Sequence, residues 1–199
     1  MKKYGLPTKI EIINFWKDKL DEYGILIDWG EPSCWACGFH YDAKYDIRNS
    51  NASWQEISEC WKKMPLQRCH IVPKSLGGSN EPINLFLMCS ECHDLAPDTA
   101  IKEIFFEWVK KQSWWNREYE RLDQALHSIG LSEEEKEGIY KLKEDHYFKE
   151  WLKGRIGIHF PQSGYPSVSF RIKHSTILGL TKYYLRNVKS SNNRMQPRQ

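Results

Sequence analysis

The sequence contains no run of about 20 apolar residues, so it predicts no membrane-spanning helix. Its first residues, MKKYGLPTKIEIINFW, carry two lysines but no continuous apolar region and no small-residue cleavage site, so no secretory leader is predicted. There is no internal repeat. Strong charge of either sign is also missing: 29 Lys and Arg against 26 Asp and Glu leave a net charge of +3. That excess permits contact with a polyanion without arguing for one. Cysteine is sparse, at six, and four of the six fall in two Cys-x-x-Cys pairs. With no leader, these thiols are expected in a reducing cytoplasm, where such pairs favour metal over disulfide. Aromatic residues are abundant, with nine Trp, so a buried core is feasible.

Local patterns divide the chain. Thr8 to Tyr23 is predicted as a helix, opened by a Thr8/Glu11 capping box, with Ile12, Ile13, Trp16 and Leu20 on one face and Gly24 as its stop. Ile25 to Trp29 is a short strand candidate. Cys34-Trp-Ala-Cys37-Gly38 has the form of a zinc knuckle. After a polar, turn-rich stretch from His40 to Asn51, Ser53-x-x-Glu56 opens a helix carrying Trp54, Ile57, Trp61 and Met64, with Cys60 as a small core residue and Pro65 as its end. Leu66 to Val72 and Asn84 to Met88 read as strands joined by a loop with Gly77-Gly78. Cys89 to Leu95 reads as a short helix stopped by Pro97. Asp98 or Thr99 should cap a helix through about Lys111, with Ile101, Ile104, Phe105 and Trp108 apolar.

Beyond it, Trp115, Tyr119, Leu122, Leu126 and Ile129 form a helical stripe closed by Gly130. Ser132-x-x-Glu135 opens a helix reaching about Leu152. Arg155 to Phe160 and Ser167 to Lys173 are strand candidates. Ser175 should cap a last helix through Leu185, and the polar tail is expected to be disordered.

The chemistry concentrates between Arg68 and His93. Hydrolysis of a phosphodiester needs a base for the attacking water, neutralisation of charge growing on the phosphoryl oxygens, and stabilisation of the leaving oxygen. An imidazole, with an unperturbed pKa of about 6.5, suits the first task, and a divalent cation meets the other two. His70 lies on an apolar strand, where packing alone would not place it, and is the candidate general base. Asn84 opens the partner strand, where its amide can hold the backbone or orient His70. His93 follows Cys92 directly, so a metal at Cys89 and Cys92 would fix it as the candidate ligand of the catalytic cation. Gly77 and Gly78 allow the loop to turn and a DNA backbone to approach. Arg68 and Lys74 are candidate phosphate contacts. Cys34, Cys37, Cys89 and Cys92 together make a tetrahedral structural zinc site. His40, His127, His146, His159 and His174 read as ordinary polar residues, His174 having a place from which it could touch DNA.

His70, the Pro73 and Gly77-Gly78 loop, Asn84-Leu85 and Cys89-x-x-Cys92-His93 occur in the order seen in HNH (His-Me finger, ββα-metal) endonucleases, and the stretch from Cys34 to Asp98 resembles their four-cysteine zinc variants. The resemblance implies an α+β chain: a small ββα-metal core stapled by zinc, with an N-terminal helix and a helical C-terminal region. The expected organisation is 1–33 packing on the core, 34–112 as the nuclease core, 113–188 for target recognition or dimerisation, and 189–199 as tail. It implies hydrolysis of DNA to 5′-phosphate and 3′-hydroxyl ends with Mg2+, Mn2+ or a similar ion, in a bacterial or phage-encoded protein serving restriction, homing or phage DNA processing. It assigns His70 as base, Asn84 as the central residue and His93 as metal ligand. One site cuts one strand, so a homodimer is one route to double-strand cutting. Many members carry Asp where this chain has Cys69, which leaves the second metal ligand unassigned. The alternative is a zinc-stapled nucleic-acid-binding module without cleavage.

Overall fold

The computed structural model describes residues 5–41, 45–142, 144–157 and 172–189. The chain divides into two compact units, Met1–Trp114 and Trp115–Gln199. The fold is mixed: eight α-helices among the described residues and a two-stranded antiparallel sheet.

The first unit opens with α1 (Lys9–Trp16), capped as its sequence requires: the Glu11 amide donates to the Thr8 hydroxyl and the Thr8 amide donates to the Glu11 carboxylate. These Thr8 N–H and O–H bonds hold the Glu11 carboxyl below its usual range. The α-helix ends seven residues before the expected Tyr23. Lys19 adopts φ −127°, and a 3-10 turn (Leu20–Tyr23) then returns Leu20 to the core before Gly24 closes it at φ 69°. No strand forms over Ile25–Trp29. Ile25 is buried but Leu26 is 85% exposed, and the Trp29 carbonyl accepts the Trp61 indole N–H at 2.9 Å rather than a ladder bond.

Helix α2 (Trp54–Lys63) carries the second capping box, Ser53 with Glu56, and buries Trp61. Cys60 is half-buried. Strand β1 (Gln67–His70) then pairs with β2 (Leu85–Met88), in the register Gln67–Met88, Arg68–Leu87, Cys69–Phe86 and His70–Leu85. All four residues of β2 are buried, which explains its unbroken apolar run. Helix α1 packs on β2 and α2, and α3 (Ser90–Leu95) packs on both strands. An aromatic core of Trp16, Trp35, Trp61, Phe86 and Phe105 fills the space around β2. The Trp16 indole N–H donates to the carbonyls of Pro82 (2.9 Å) and Leu85 (2.8 Å), pinning the start of β2 to α1.

Helix α4 (Lys102–Lys110) starts later than expected. Ile101 occupies the cap position, and Thr99 only accepts the Ile101 amide. Its buried face is Phe105, Phe106 and Val109, whereas Ile101 and Ile104 are exposed.

In the second unit, α5 runs Trp114–Ile129, beginning at the boundary. Leu122, Leu126 and Ile129 are half-buried, while Trp115 and Tyr119 at the head of the expected stripe are exposed. The helix expected from Ser132 to Leu152 is two helices, α6 (Glu133–Leu142) and α7 (His146–Leu152). Asp145 causes the break: its carboxylate accepts the Phe148 amide and caps α7. Helix α8 (His174–Tyr183) is preceded by Lys173 rather than capped by Ser175, and continues as a π-helical turn over Tyr184–Lys189. Leu142, Phe148 and Tyr184 form a buried cluster that joins α6, α7 and the π-helical turn. Arg155–Gly157, Ile172 and Lys173 are not in strands. The remainder of both strand candidates and the tail from 190 onward lie outside the described residues.

Candidate metal centre and histidine site

The two Cys-x-x-Cys pairs come together. Cys34 and Cys37 sit in a turn that closes through Gly38, whose amide donates to the Cys34 carbonyl at 2.8 Å and whose φ is 71°. The Trp35 amide donates to the Leu87 carbonyl at 3.1 Å, seating the knuckle on β2. Cys89 caps α3, its sulfur accepting the Cys92 amide at 3.4 Å, and the Cys89 amide donates to the Cys34 sulfur at 3.2 Å. All four residues are buried, and their four sulfurs lie within 4.8 Å of one another. A tetrahedral thiolate site with metal–sulfur bonds of about 2.3 Å requires sulfurs about 3.8 Å apart. Cys37 and Cys89 are at 3.9 Å. The donor set therefore fits a soft tetrahedral ion, and the four cysteines are placed to bind one.

Burial pushes the Cys34 thiol up, whereas hydrogen bonds from Cys34, Cys37 and Cys92 pull Cys89 down. Burial, and then the charge of the nearby thiolates, also raises the Tyr41 phenol. Such a cluster favours a cation, because several thiolates cannot share a dry site uncompensated.

Six residues upstream of α3, the loop between β1 and β2 is closed by Asn84. Its side-chain oxygen accepts the Val72 amide, and its NH2 donates to the carbonyls of Val72 and Ser79, each at 2.9 Å. The Ile71 amide adds a backbone bond to the Asn84 carbonyl. Of the two roles open to this amide, the structure shows the backbone clamp. Gly77 turns the loop at φ 88°. Gly78 is pressed against the chain itself: a Cβ there would lie 1.8 Å from the Val72 carbonyl oxygen. The glycine thus serves approach of the loop to β1's exit.

His70 ends β1, half-buried, with alternation placing Arg68 outside and Cys69 inside. Its Nε2 lies 3.0 Å from the Asn80 side-chain oxygen. Asn80 is the polar contact that sequence reasoning missed. In Gly77-Gly78-Ser79-Asn80 it reads as one more turn residue, and only the closed loop brings it to the ring.

His93 lies on α3, one residue beyond the metal-placed Cys92. Its side chain is 39% exposed, and its Nδ1 is 3.7 Å from the Asp94 carboxylate. Among the described residues, no second set of three acidic, His or Cys ligand atoms converges as the cysteines do.

Cys69 is buried, with its thiol directed to the His70 carbonyl at 3.6 Å. Burial and the nearby Asp98 charge push it up to about 12. A neutral thiol facing the core is not placed to ligate a hard cation.

The candidate phosphate contacts differ in their surroundings. Arg68 is exposed and donates to the Pro7 carbonyl at 3.0 Å, so part of its guanidinium fixes the N-terminal segment. Lys74 is exposed on the 3-10 turn Lys74–Leu76. His40 pairs with Asp46 at 2.6 Å, and His174 with Glu118 at 3.1 Å.

Residues 58–98 match the family described as HNH endonuclease, a span holding β1, the clamped loop, β2 and α3 but leaving Cys34 and Cys37 outside. No curated protein and no solved structure matches the chain significantly. Residues 58–98 are thus similar to the HNH endonuclease family, and the four cysteines, placed to bind one metal ion, join the last helix of that span to the knuckle before it.

Proposed function

We propose that the protein is a metal-dependent endonuclease hydrolysing DNA phosphodiester bonds, with His70 as general base. One observation supports this most: a half-buried imidazole ends β1 between the buried Cys69 and Ile71, and one of its ring nitrogens lies 3.0 Å from the Asn80 side-chain oxygen. An imidazole so placed is reached by solvent while its ring is held in one orientation, as a general base requires.

In this reading each residue has a separate task. His70 takes the proton from the water that attacks phosphorus. Asn84 holds the loop from Val72 to Ser79 and so fixes the site's shape. Zinc on Cys34, Cys37, Cys89 and Cys92 anchors the start of α3 and with it His93. His93 would hold the catalytic divalent cation, Mg2+ or Mn2+, which would supply charge neutralisation at the phosphoryl and leaving oxygens. With Cys69 buried and neutral, His93 is the one side chain that this reading assigns to the cation. Lys74 contacts phosphate, and the free part of Arg68's guanidinium does the same.

The test is incubation of purified protein with supercoiled plasmid and Mg2+ or Mn2+. Conversion to nicked circles, abolished by chelation and ending in 5′-phosphate and 3′-hydroxyl, is expected. Retarded DNA without any cleavage would instead establish the zinc-stapled binding module, a reading that Cys69 in place of a carboxylate favours. Sequencing the cut ends from a complex substrate then separates defined sites, expected of restriction or homing, from scattered nicks.

A further inference from the structure

We propose that Asn80 is the positioning residue that holds His70 in its Nε2–H tautomer, leaving Nδ1 as the basic atom. The proposal rests on the nuclease reading for its catalytic meaning, but its geometric content stands on the loop alone.

The sequence offers two asparagines near His70, and the structure gives them different work. Asn84 spends its amide on the main chain: its oxygen accepts from Val72, and its NH2 donates to Val72 and Ser79. Asn80 instead turns its oxygen to His70 Nε2 at 3.0 Å. A side-chain amide oxygen only accepts, so the nitrogen it faces carries the proton. A neutral imidazole has one such proton, so Nδ1 keeps the lone pair.

The position of Asn80 is fixed by its neighbours. Ser79, just before it, is held by Asn84 through its carbonyl. Gly78 lies against the Val72 carbonyl, and the Gly78 amide donates to Pro73 at 3.0 Å. Just after it, the Glu81 amide donates to the Ser79 hydroxyl at 3.3 Å. The clamp therefore acts on His70 indirectly: Asn84 fixes Ser79, Ser79 fixes Asn80, and Asn80 fixes the ring. An amide suits the task because it orients the imidazole without adding a charge that would hold the proton on it.

The experiment uses the full chain, 15N-labelled, with long-range 1H–15N correlation of the His70 ring, alongside plasmid nicking in Mn2+. Wild type should show the Nε2–H pattern. Asn80→Leu should show mixed tautomers and nick about 10-fold or more slowly. Asn80→Asp, which keeps the acceptor, should retain the Nε2–H pattern and stay closer to wild type than Asn80→Leu does. A wild-type ring protonated at Nδ1, or an unchanged His70 spectrum in Asn80→Leu, overturns the proposal. So does slow nicking in both variants with unchanged tautomers, because Asn80 would then only shape the loop. If wild type shows the expected tautomer but never nicks, the nuclease reading fails while the tautomer assignment holds.

Discussion

Gly78 and Val72 meet so closely that one methyl group decides whether the loop can close. An added Cβ would fall 1.8 Å from the Val72 oxygen and 2.8 Å from the Asn84 amide nitrogen. Gly78→Ala must therefore break the clamp, while Gly77→Ala meets open space and costs only its left-handed φ of 88°, about 1 kcal/mol. Urea unfolding should show Gly78→Ala as the more damaging of the two, and equal effects would contradict this packing. Cys69 gives a second residue-scale prediction. Its thiol ionises near 12 in the folded chain against 9.0 ordinarily, so its stabilising contribution is intact below about pH 9 and is lost as pH rises toward 12. At pH 8.5 the native protein should resist alkylation at Cys69, read by peptide mass spectrometry. Cys69→Ala should nick within about threefold of wild type, as expected of a core residue whose loss removes little volume. A collapse of nicking with the fold intact would make Cys69 part of the site.

At the scale of elements, the four-cysteine cluster joins the knuckle, β2 and the start of α3. Cys34 receives the Cys89 amide and Cys89 receives the Cys92 amide, so the helix begins on sulfur. Cys34→Ser should lower bound metal below one ion per chain by elemental analysis. It should also cost roughly 3 kcal/mol or more, because metal-binding energy in such sites is folding energy. Full metal retention would refute the four-thiolate assignment. These elements were legible in the sequence for a physical reason. Two capping boxes, two Cys-x-x-Cys turns and an all-apolar β2 each determine local structure without help from distant residues. What was not legible depends on partners. Ile25–Trp29 has the composition of a strand but finds no ladder, and Trp29 is held by the Trp61 side chain. The apolar stripe runs on past Leu142, yet Asp145 caps a new helix. Asn80 looks like turn chemistry until the loop folds it onto His70. His70 could be singled out because packing alone would not place an imidazole on an apolar strand, Asn84 by its place opening the partner strand and His93 by following Cys92, whereas the work of Asn84 as a clamp depends on the closed loop.

The whole molecule combines a stretch similar to the HNH endonuclease family over residues 58–98, a four-cysteine cluster placed to bind a metal ion and reaching back to Cys34, and a separate helical unit from Trp115 onward. No described helix is long and apolar enough to cross a membrane. A net charge of +3 makes any DNA contact a matter of local cations such as Lys74 and Arg68 rather than of the whole field. The central claim is that His70 is the base of a metal-dependent cut. Its most direct test is the nicking rate of His70→Ala against wild type, in Mn2+, at matched cysteine-bound metal content. The account predicts nicking by wild type and a loss of about 100-fold or more in the variant, the range expected for removing a general base. Equal rates, or no cleavage by either protein, would contradict it.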